Sequence, residues 1–300
     1  MTNLHVPVLL KQVVEGLDLK EGDIYLDATL GAGGHMEAVY EALQDKVTLL
    51  GIDADSSAID VAKARLELLG AKPKLAVSNF RNIDKALEIL GSERPSKILF
   101  DLGWNAMQFS EGGRGFSFQK DEPLSMTLDS DPENAVFTAY DVVNSWEEEN
   151  IADVIYGYGE EKFARRIAKT IIEARQKAPI KTSLQLAEII KSAVPVFYRF
   201  GRIHPATKTF QAIRIAVNDE LNALTEGLEK GFEILKREGR MAVISFHSLE
   251  DRIVKNFYKK LSDEGKAEVI TKKPISAEES ELQINPRARS AKLRIIKKIN

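Results

Sequence analysis

Short apolar runs alternate with amphipathic stretches in the first third of the chain. Four runs have the length of a strand: residues 24–28, 47–52, 75–77 and 98–102. Between them, residues 35–43 and 57–69 carry apolar side chains at helical spacing. Strands that alternate with helices of this length are typical of βαβ units, so this part of the chain predicts a parallel sheet.

The same alternation returns near the end of the chain. One long amphipathic helix is predicted from apolar side chains spaced by threes and fours at 210, 213, 217, 221, 224, 228, 232 and 235. Gly239 is its stop signal, and residues 241–246 predict a buried strand. Ser248 with Asp251 has the spacing of a capping box that opens a further helix. Residues 269–271 and 293–297 predict two closing strands, with an antiparallel edge.

About a hundred residues between 102 and 210 break this rhythm. A βαβ crossover needs only about 30 residues, and this stretch has helical patterns near 133–144, 160–177 and 183–194 after a glycine-rich loop at 112–118. We therefore predict an α/β fold with a Rossmann-like sheet and an inserted, mainly helical domain. The sheet domain would comprise residues 1–106 and 207–300, and the inserted domain residues 107–206.

Composition excludes several kinds of chemistry. The chain has no cysteine and only four histidines, so a thiolate zinc site, an iron–sulfur cluster and a cysteine nucleophile are all excluded. We expect no metal ion. No apolar run reaches the length of a membrane span and no signal peptide is apparent, so we expect a cytoplasmic protein.

Charge is unevenly distributed although the net charge is only −3. Residues 121–161 hold twelve Asp and Glu and no Lys or Arg, whereas residues 285–300 hold six Lys and Arg and no acid. Such a basic tail is a candidate contact for a polyanion, and a solvated terminal strand would explain it equally well from charge alone.

A glycine-rich turn follows the first predicted strand, in the segment Asp27-Ala-Thr-Leu-Gly31-Ala-Gly33-Gly34-His35. Glycines let a backbone turn tightly and approach a ligand at the carboxyl end of a strand. A dinucleotide fingerprint requires a small residue at the position of Met36, which makes a nicotinamide dehydrogenase improbable. The segment resembles instead the first motif of class I S-adenosylmethionine methyltransferases.

Further candidate ligand groups follow the next three strands. Asp53 ends the second strand at the distance from the glycines where an acid accepts hydrogen bonds from ribose hydroxyls. Phe80 follows the third strand, where it would stack on an adenine or pack as a core aromatic. Asp101 ends the fourth strand and would face the cofactor or the target.

Longer segments carry a more specific resemblance. They are His5-Val-Pro-Val-Leu-Leu10, Asp27–His35, Asp101-Leu-Gly103, Arg114-Gly-Phe-Ser-Phe118, Tyr158-Gly-Glu160, His204-Pro-Ala-Thr-Lys-Thr-Phe-Gln-Ala-Ile-Arg-Ile215, Ser245-Phe-His-Ser-Leu-Glu-Asp-Arg-Ile-Val-Lys255 and Asn285-Pro-Arg-Ala-Arg-Ser-Ala-Lys-Leu-Arg294. In this order they resemble the RsmH (MraW) family, which methylates N4 of a cytidine in small-subunit (16S) ribosomal RNA.

The resemblance implies a methyltransferase sheet with an inserted helical domain and S-adenosylmethionine as cofactor. By position, the resemblance implies that the cofactor contacts are Gly33, Gly34, His35, Asp53, Phe80, Asp101 and Gln108. The glycine turn adds Gly31 to this set. Departures from the family pattern occur over residues 104–110 and at Ser125 and Thr127, on the side of the cofactor and target.

Methyl transfer to an exocyclic amine needs an acceptor for the N–H, because the amine lone pair is conjugated with the ring. We expect Asp101 to be that acceptor, with Asn105 as a helper. Candidate RNA contacts, by charge and by the resemblance, are Arg114, Lys208, Arg214, His247, Arg287, Arg289, Lys292 and Arg294. For His247, a structural role is an equally good explanation. The expected partner is small-subunit ribosomal RNA or the small subunit, and the oligomeric state stays open.

Two other hypotheses stay open. A non-catalytic ribosome-assembly factor could keep the fold and bind RNA, which the departures at 104–110, Ser125 and Thr127 favour. A methyltransferase for another nucleic acid is less well supported, because exocyclic-amine DNA enzymes carry Asp/Asn-Pro-Pro-Tyr/Phe where this chain has Asp101-Leu-Gly-Trp104.

Overall fold

The computed structural model describes residues 7–102, 113–128 and 135–300. The chain divides into two compact units, Met1–Asn105 with Leu221–Asn300, and Ala106–Glu220. The second boundary lies after residue 220, not after the predicted 206, because residues 207–218 form a helix that packs on another helix of the second unit. Within the described residues, no helix has both the length and the apolar character that crossing a membrane would require.

A sheet of seven strands forms the centre of the first unit, counted over the described part of the chain. The strands are β1 (Ile24–Asp27), β2 (Thr48–Asp53), β3 (Lys74–Val77), β4 (Lys97–Asp101), β5 (Arg240–Ser245), β6 (Ala267–Val269) and β7 (Lys292–Lys298). Their order is β3-β2-β1-β4-β5-β7-β6, in which β1 to β5 are parallel and β7 is antiparallel to β5 and β6. The predicted Rossmann-like fold is confirmed, and its strand order reverses between β1 and β4, where such sheets bind ligands.

Helices occupy most of the rest of the described chain. They are α1 (Leu10–Leu17), α2 (Gly34–Leu43), α3 (Ser56–Leu68), α4 (Ile83–Leu90), α5 (Ala139–Ser145), α6 (Glu148–Gly159), α7 (Ala164–Arg175), α8 (Ser183–Ala193), α9 (Val196–Arg199), α10 (Thr207–Asn218), α11 (Glu220–Ile234), α12 (Ser248–Asp263) and α13 (Glu279–Ile284). The sequence patterns did not predict α1, α4, α6, α9 or α13.

Both faces of the sheet are buried under helices. Tyr25 and Leu99 pack with apolar residues of α1, α2 and α3 on one face. Their chain neighbours Leu26 and Ile98 pack with residues of α4, α11 and α12 on the other face. A parallel sheet covered on both sides needs continuous apolar strands, which is why these strands are visible in the sequence as unbroken apolar runs.

The predicted long helix over 210–235 is two helices in the structure. It is interrupted at Asp219, whose backbone is left-handed with a φ of 49°. The side chain of Asn218 helps to fix this end of α10, since its Nδ2 donates to the carbonyl oxygen of Met126 at 2.8 Å and its Oδ1 accepts the N–H of Leu128 at 2.7 Å. The apolar spacing of threes and fours continues through the break, so the pattern alone cannot reveal it.

The second unit is helical in its described part, and α6 packs against both α7 and α10. Gly159 makes the approach of α6 to α10 possible, because a Cβ at this position would lie 2.7 Å from the carbonyl oxygen of Lys208. Glu160 follows with a left-handed backbone, φ 46°, and ends the helix. The segment Tyr158-Gly-Glu160 is therefore required by helix packing.

The start of α12 corrects the predicted capping box by one residue. His247, not Ser248, is the N-cap, and its Nδ1 accepts the backbone N–H of Glu250 while the Glu250 carboxylate accepts the N–H of His247. Asp251 is thereby left to pair with β7. Its Oδ1 and Oδ2 accept from the guanidinium of Arg294 at 2.7 and 3.3 Å, and Oδ2 also accepts from Lys292 at 3.3 Å.

We predict that Asp251→Ala lowers the free energy of unfolding by about 3 kcal/mol, the lower end of the range for a broken buried ion pair, because a little of the pair remains exposed. Adding Arg294→Met should recover part of this loss, since the buried unpaired charge is then removed and Lys292, the other partner of Asp251, is 40% exposed and can be hydrated. Urea denaturation at neutral pH measures both. As a control, Glu264→Ala removes a partner of Lys266 at the surface and should leave the free energy of unfolding nearly unchanged, because exposed ion pairs are screened by water. A double variant no more stable than Asp251→Ala would contradict this explanation.

Candidate active site

A glycine turn joins β1 to α2. Gly33 is the residue before α2 and has a φ of 77°, a backbone conformation that residues with a Cβ rarely adopt. A Cβ on Gly33 would also lie 3.1 Å from the Cβ of Ala62 in α3. Gly31 has a φ of 51°, and among the described residues the nearest atom to a Cβ built there is the carbonyl oxygen of Thr29 at 3.9 Å. The turn therefore needs glycine for its conformation and offers backbone groups to a ligand.

Asp53 at the end of β2 ties the glycine turn in place. Its Oδ2 accepts the N–H of Gly31 at 2.8 Å and its Oδ1 accepts the N–H of Asp55 at 2.9 Å. Burial raises the pKa of Asp53, while these two hydrogen bonds act in the opposite direction. A carboxylate has about four acceptor positions, so Asp53 can accept further hydrogen bonds from a ligand. Asp55 is instead the N-cap of α3, where its carboxylate accepts from Ser57.

A buried polar network lies where β1 ends. Asp27 is almost completely enclosed, and its carboxylate accepts the N–H of Thr29 at 3.1 Å and the hydroxyl of Tyr25 at 3.2 Å. Burial raises the pKa of Asp27 to about 6, with a further rise from Asp101, against the lowering effects of His35 and the two hydrogen bonds. Burial and the nearby Asp27 carboxylate raise the pKa of the Tyr25 phenol well above its usual range.

His35 connects this network to the end of β4. It is buried in the first turn of α2, and its Nε2 lies 3.5 Å from Oδ2 of Asp101. The backbone N–H of Asp101 donates to Oγ1 of Thr29 at 2.6 Å, which fixes the end of β4 against β1. Among the described residues, neither ring nitrogen of His35 makes a hydrogen bond. Unpaired buried polar atoms are rare, so these nitrogens favour a polar ligand at this place.

Phe80 lies in the 3-10 turn that follows β3 and is partly buried. Its ring meets that of Phe100 edge-on at a centroid distance of 5.9 Å. Gly227 of α11 permits this position, because a Cβ there would lie 2.8 Å from the Phe80 ring. One edge of the Phe80 ring therefore packs in the core, and the rest of the ring is partly exposed. The residue can serve both as a core aromatic and as a surface on which an adenine stacks.

The structure brings most of the predicted cofactor residues to one edge of the sheet. Gly31, Gly33, Gly34 and His35 follow β1, while Asp53, Phe80 and Asp101 follow β2, β3 and β4. Asn105 and Gln108 lie outside the described residues. Sequence reasoning did not assign Tyr25 or Thr29, and Asp27 was quoted only as part of the motif. These three residues could have been found in the sequence, because Tyr25, Asp27 and Thr29 are polar side chains at alternate positions where an apolar strand ends.

The predicted RNA contacts fall into two groups. Arg287 and Arg289 are exposed in the 3-10 turn Pro286–Ser290. The others have partners within the protein. Arg294 is buried against Asp251, with Lys292 beside it. Arg214 forms a two-point ion pair with Glu220 at 2.8 and 2.9 Å.

Three residues complete that group. Lys208 donates to the carbonyl oxygen of Glu160 at 2.9 Å, and Arg114 is half-buried and engaged in contacts of its own. His247 caps α12. We therefore retain Arg287 and Arg289 as candidate RNA contacts and interpret Arg214, His247 and Arg294 as structural, because their charges or lone pairs are used within the fold.

Comparison with known proteins now identifies the family. A model of the MraW methylase family matches residues 2–299, nearly the whole chain. The chain belongs to the MraW methylase family. Its curated relatives include the ribosomal RNA small subunit methyltransferase H of Brevibacillus brevis, which is 45% identical over 310 residues with 98% of each chain aligned. The protein of the same name from Clostridioides difficile is 42% identical over 310 residues, covering 98% of this chain and 99% of its own.

Similarity to solved structures is much weaker. The rRNA methylase of Streptococcus thermophilus aligns with 97% of this chain and 94% of its own, at 14% identity and a TM-score of 0.45. At this level no residue role of that methylase can be transferred to the MraW family chain. The candidate site is therefore described only from the strand order and side-chain contacts of this chain.

We predict that Asp27→Asn removes a pH dependence of stability. The Asp27 carboxyl titrates near pH 4 when unfolded and about pH 6 when folded, so the native state holds the proton more tightly. Its contribution to stability is therefore complete below pH 4 and is lost as pH rises through 6. The free energy of unfolding of Asp27→Asn minus that of the wild type should grow by about 2 to 3 kcal/mol between pH 4 and 7. Urea denaturation across this range measures it, and parallel curves would contradict it.

Proposed function

We propose that this chain transfers a methyl group from S-adenosylmethionine to the exocyclic N4 amine of a cytidine in small-subunit ribosomal RNA. The observation that carries the proposal is the buried group of Asp27, His35 and Asp101 beside an Asp53-anchored glycine turn, in a chain of the MraW methylase family. The relatives described above bear the name of a small-subunit ribosomal RNA methyltransferase. A ribosomal substrate also implies a cytoplasmic location.

The donor groups at the strand ends fit this cofactor. Asp53 can accept from ribose hydroxyls, and the partly exposed Phe80 ring offers an apolar surface for an adenine. His35 supplies two buried ring nitrogens without hydrogen bonds in the described structure, and beyond the chain neighbours of Gly31 no described atom lies closer than 3.9 Å to a Cβ built there. The expected set also contains Gly33, Gly34, Asp101 and Gln108, of which Gln108 lies outside the described residues. When bound, the cofactor supplies a methyl group on a positively charged sulfur, which is already activated for displacement.

The chain's own part of the reaction is orientation and acceptance of a proton. A cytosine N4 amine is a poor nucleophile, because its lone pair is delocalised into the ring. We assign Asp101 to accept a hydrogen bond from the N–H of this amine and then its proton. The hydrogen bond localises the lone pair and stabilises the positive charge that develops on nitrogen. Thr29 fixes the backbone of Asp101, and His35 lies 3.5 Å from its carboxylate. Asn105 stays a proposed helper.

The composition restricts which atom of the base can react. Methylation at C5 of cytosine requires a cysteine that adds to the ring, and the chain contains none. Attack by an exocyclic amine needs no covalent intermediate with the protein. Met36 also separates this site from a dinucleotide site, because it is fully buried and its Cε would lie 2.9 Å from a Cβ on Gly51.

The RNA would have to present its base outside a helical stack. Extrusion of a base costs a few kcal/mol, and least in loops or unpaired regions. Arg287 and Arg289 are the exposed cations of the C-terminal segment that support a contact with phosphates. This contact would position the RNA without reading its sequence.

The proposed substrate has a direct test. Small subunits from a strain lacking the modification, incubated with the protein and methyl-labelled S-adenosylmethionine, should yield labelled N4-methylcytidine after digestion to nucleosides. Label in another nucleoside would refute the assigned atom. Tight binding of cofactor and subunit without any label would favour the assembly-factor hypothesis instead.

Asp101→Ala should lower single-turnover methyl transfer by about 100- to 10,000-fold, the usual contribution of general acid–base catalysis. Asp101→Asn should lose almost as much, because an amide cannot take up a proton. We expect the affinity for S-adenosylmethionine, measured by calorimetry, to change by less than about tenfold, since several other residues hold the cofactor.

The matched control is Asp60→Asn, an exposed carboxylate on α3, which should leave turnover unchanged. Near-normal turnover of Asp101→Ala would remove Asp101 from the chemical step. Full recovery of turnover at saturating cofactor would reduce its role to cofactor binding.

A further inference from the structure

An exposed group of aromatic side chains in the second unit is not explained by the cofactor site. It comprises Phe163, Phe197, Tyr198 and Phe200, together with the ammonium group of Lys162, and we refer to these five residues as the aromatic surface. Phe197 is 71% exposed and Phe200 is 85% exposed. Single exposed apolar residues are common. Here three rings lie around one ammonium group and Phe200 follows Tyr198 by two positions in the chain, and such a grouping marks a site of interaction.

The ammonium group of Lys162 lies over three rings of the aromatic surface. Its Nζ is 5.1 Å from the ring centre of Phe163, 5.3 Å from that of Tyr198 and 6.0 Å from that of Phe197. These distances are within the range of cation–π attraction. A cation is thereby held among exposed rings, where it can meet the phosphate of a ligand whose base contacts the rings.

A buried carboxylate holds the base of the aromatic surface rigid. Glu161 is fully buried, and its Oε2 accepts the hydroxyl of Tyr198 at 2.6 Å while its Oε1 accepts the N–H of Phe163 at 2.9 Å. Burial and this hydrogen bond raise the pKa of Tyr198 to about 12, so its hydroxyl stays a donor. The rings of Phe163 and Tyr198 pack edge-on at 5.0 Å. Rings fixed in this way lose little entropy when a ligand binds.

The charge around the aromatic surface is positive. Arg199 donates from Nε to the carbonyl oxygen of Val194 and from Nη2 to that of Ser192, both at 3.0 Å. Those partners are neutral, so they leave the positive charge of Arg199 intact. Arg202 is exposed two residues after Phe200. Among the described acids, Glu161 hydrogen-bonds to the aromatic surface and is buried, and Glu160 is exposed two residues before Lys162.

We propose that the aromatic surface binds unpaired nucleotides of RNA, with bases stacked on Phe197 and Phe200 and phosphates near Lys162 and Arg202. Exposed rings interleaved with cations are the arrangement that binds single-stranded nucleic acid, because every base has a face that can stack. The choice of RNA rests on the proposed function. The contact is a second one, separate from the cofactor residues, and it is formed wholly by the unit Ala106–Glu220.

The test compares single-stranded and duplex RNA of one sequence. Fluorescence anisotropy with a labelled strand of about 12 nucleotides, within the usual range of site sizes, gives both dissociation constants. The double variant Phe197→Ala/Phe200→Ala should weaken binding of the single strand at least tenfold, since each stacked base contributes about 5- to 100-fold. Its affinity for the duplex should stay the same, because paired bases cannot stack on the rings.

Conservative variants and a distant residue provide the controls. Phe197→Tyr/Phe200→Tyr keeps both ring faces and should bind as the wild type does. Leu68→Ala removes a side chain that is 88% exposed on α3 of the other unit, and it should have no effect. Lys162→Gln should reduce the salt dependence of binding by about 0.7 in the slope of log K against log salt.

Unchanged affinity of the Ala double variant would overturn the proposal. So would an equal loss for single strand and duplex, because it would indicate a charge contact without stacking. Sedimentation tests the alternative of an interface between copies of the chain. Self-association of the wild type that is lost in the Ala double variant, while RNA binding stays intact, would identify such an interface instead. Because the assay measures binding without methyl transfer, failure of the proposed reaction and failure of this contact give different results.

Discussion

The enclosure of one carboxylate, Asp27, determines how the cofactor edge is arranged. A buried carboxylate must have donors, and Asp27 obtains them from Thr29 and Tyr25. Thr29 in turn accepts the backbone N–H of Asp101, so the polar groups that satisfy β1 also fix the end of β4. His35, in the first turn of α2, lies against the carboxylate of Asp101. The reactive edge is thus built on contacts that the core already requires.

The sheet could be predicted from the sequence because its strands are buried on both faces and appear as apolar runs. The helical insert was harder to predict. In α6, Gly157 and Gly159 weaken the local helical preference, and the helix depends on close packing with α10 for its stability. The break at Asp219 was missed since the apolar spacing continues across it. Local preference and tertiary contact disagree at both places, and tertiary contact prevails.

The candidate site shows the same limit at the level of side chains. Residues at strand ends, such as Asp53 and Asp101, follow from the rule that parallel strands present their carboxyl ends at one edge. The sequence cannot show which cations are free. Arg294 and Arg287 both belong to the basic tail, yet only the structure reveals that Arg294 is buried against Asp251. Charge counts therefore overstate the number of groups that remain for a polyanion.

The position of β5 between β4 and β7 has a consequence for biosynthesis. During translation, β4 emerges from the ribosome with β1 as its partner, and its other edge stays open until β5 has been made. Synthesis of the intervening residues 102–239 takes roughly 7 to 28 s at 5–20 residues per second. An open apolar edge of this kind is a site of mispairing between chains. All residues of the second unit, Ala106–Glu220, are synthesised within that interval, before β5.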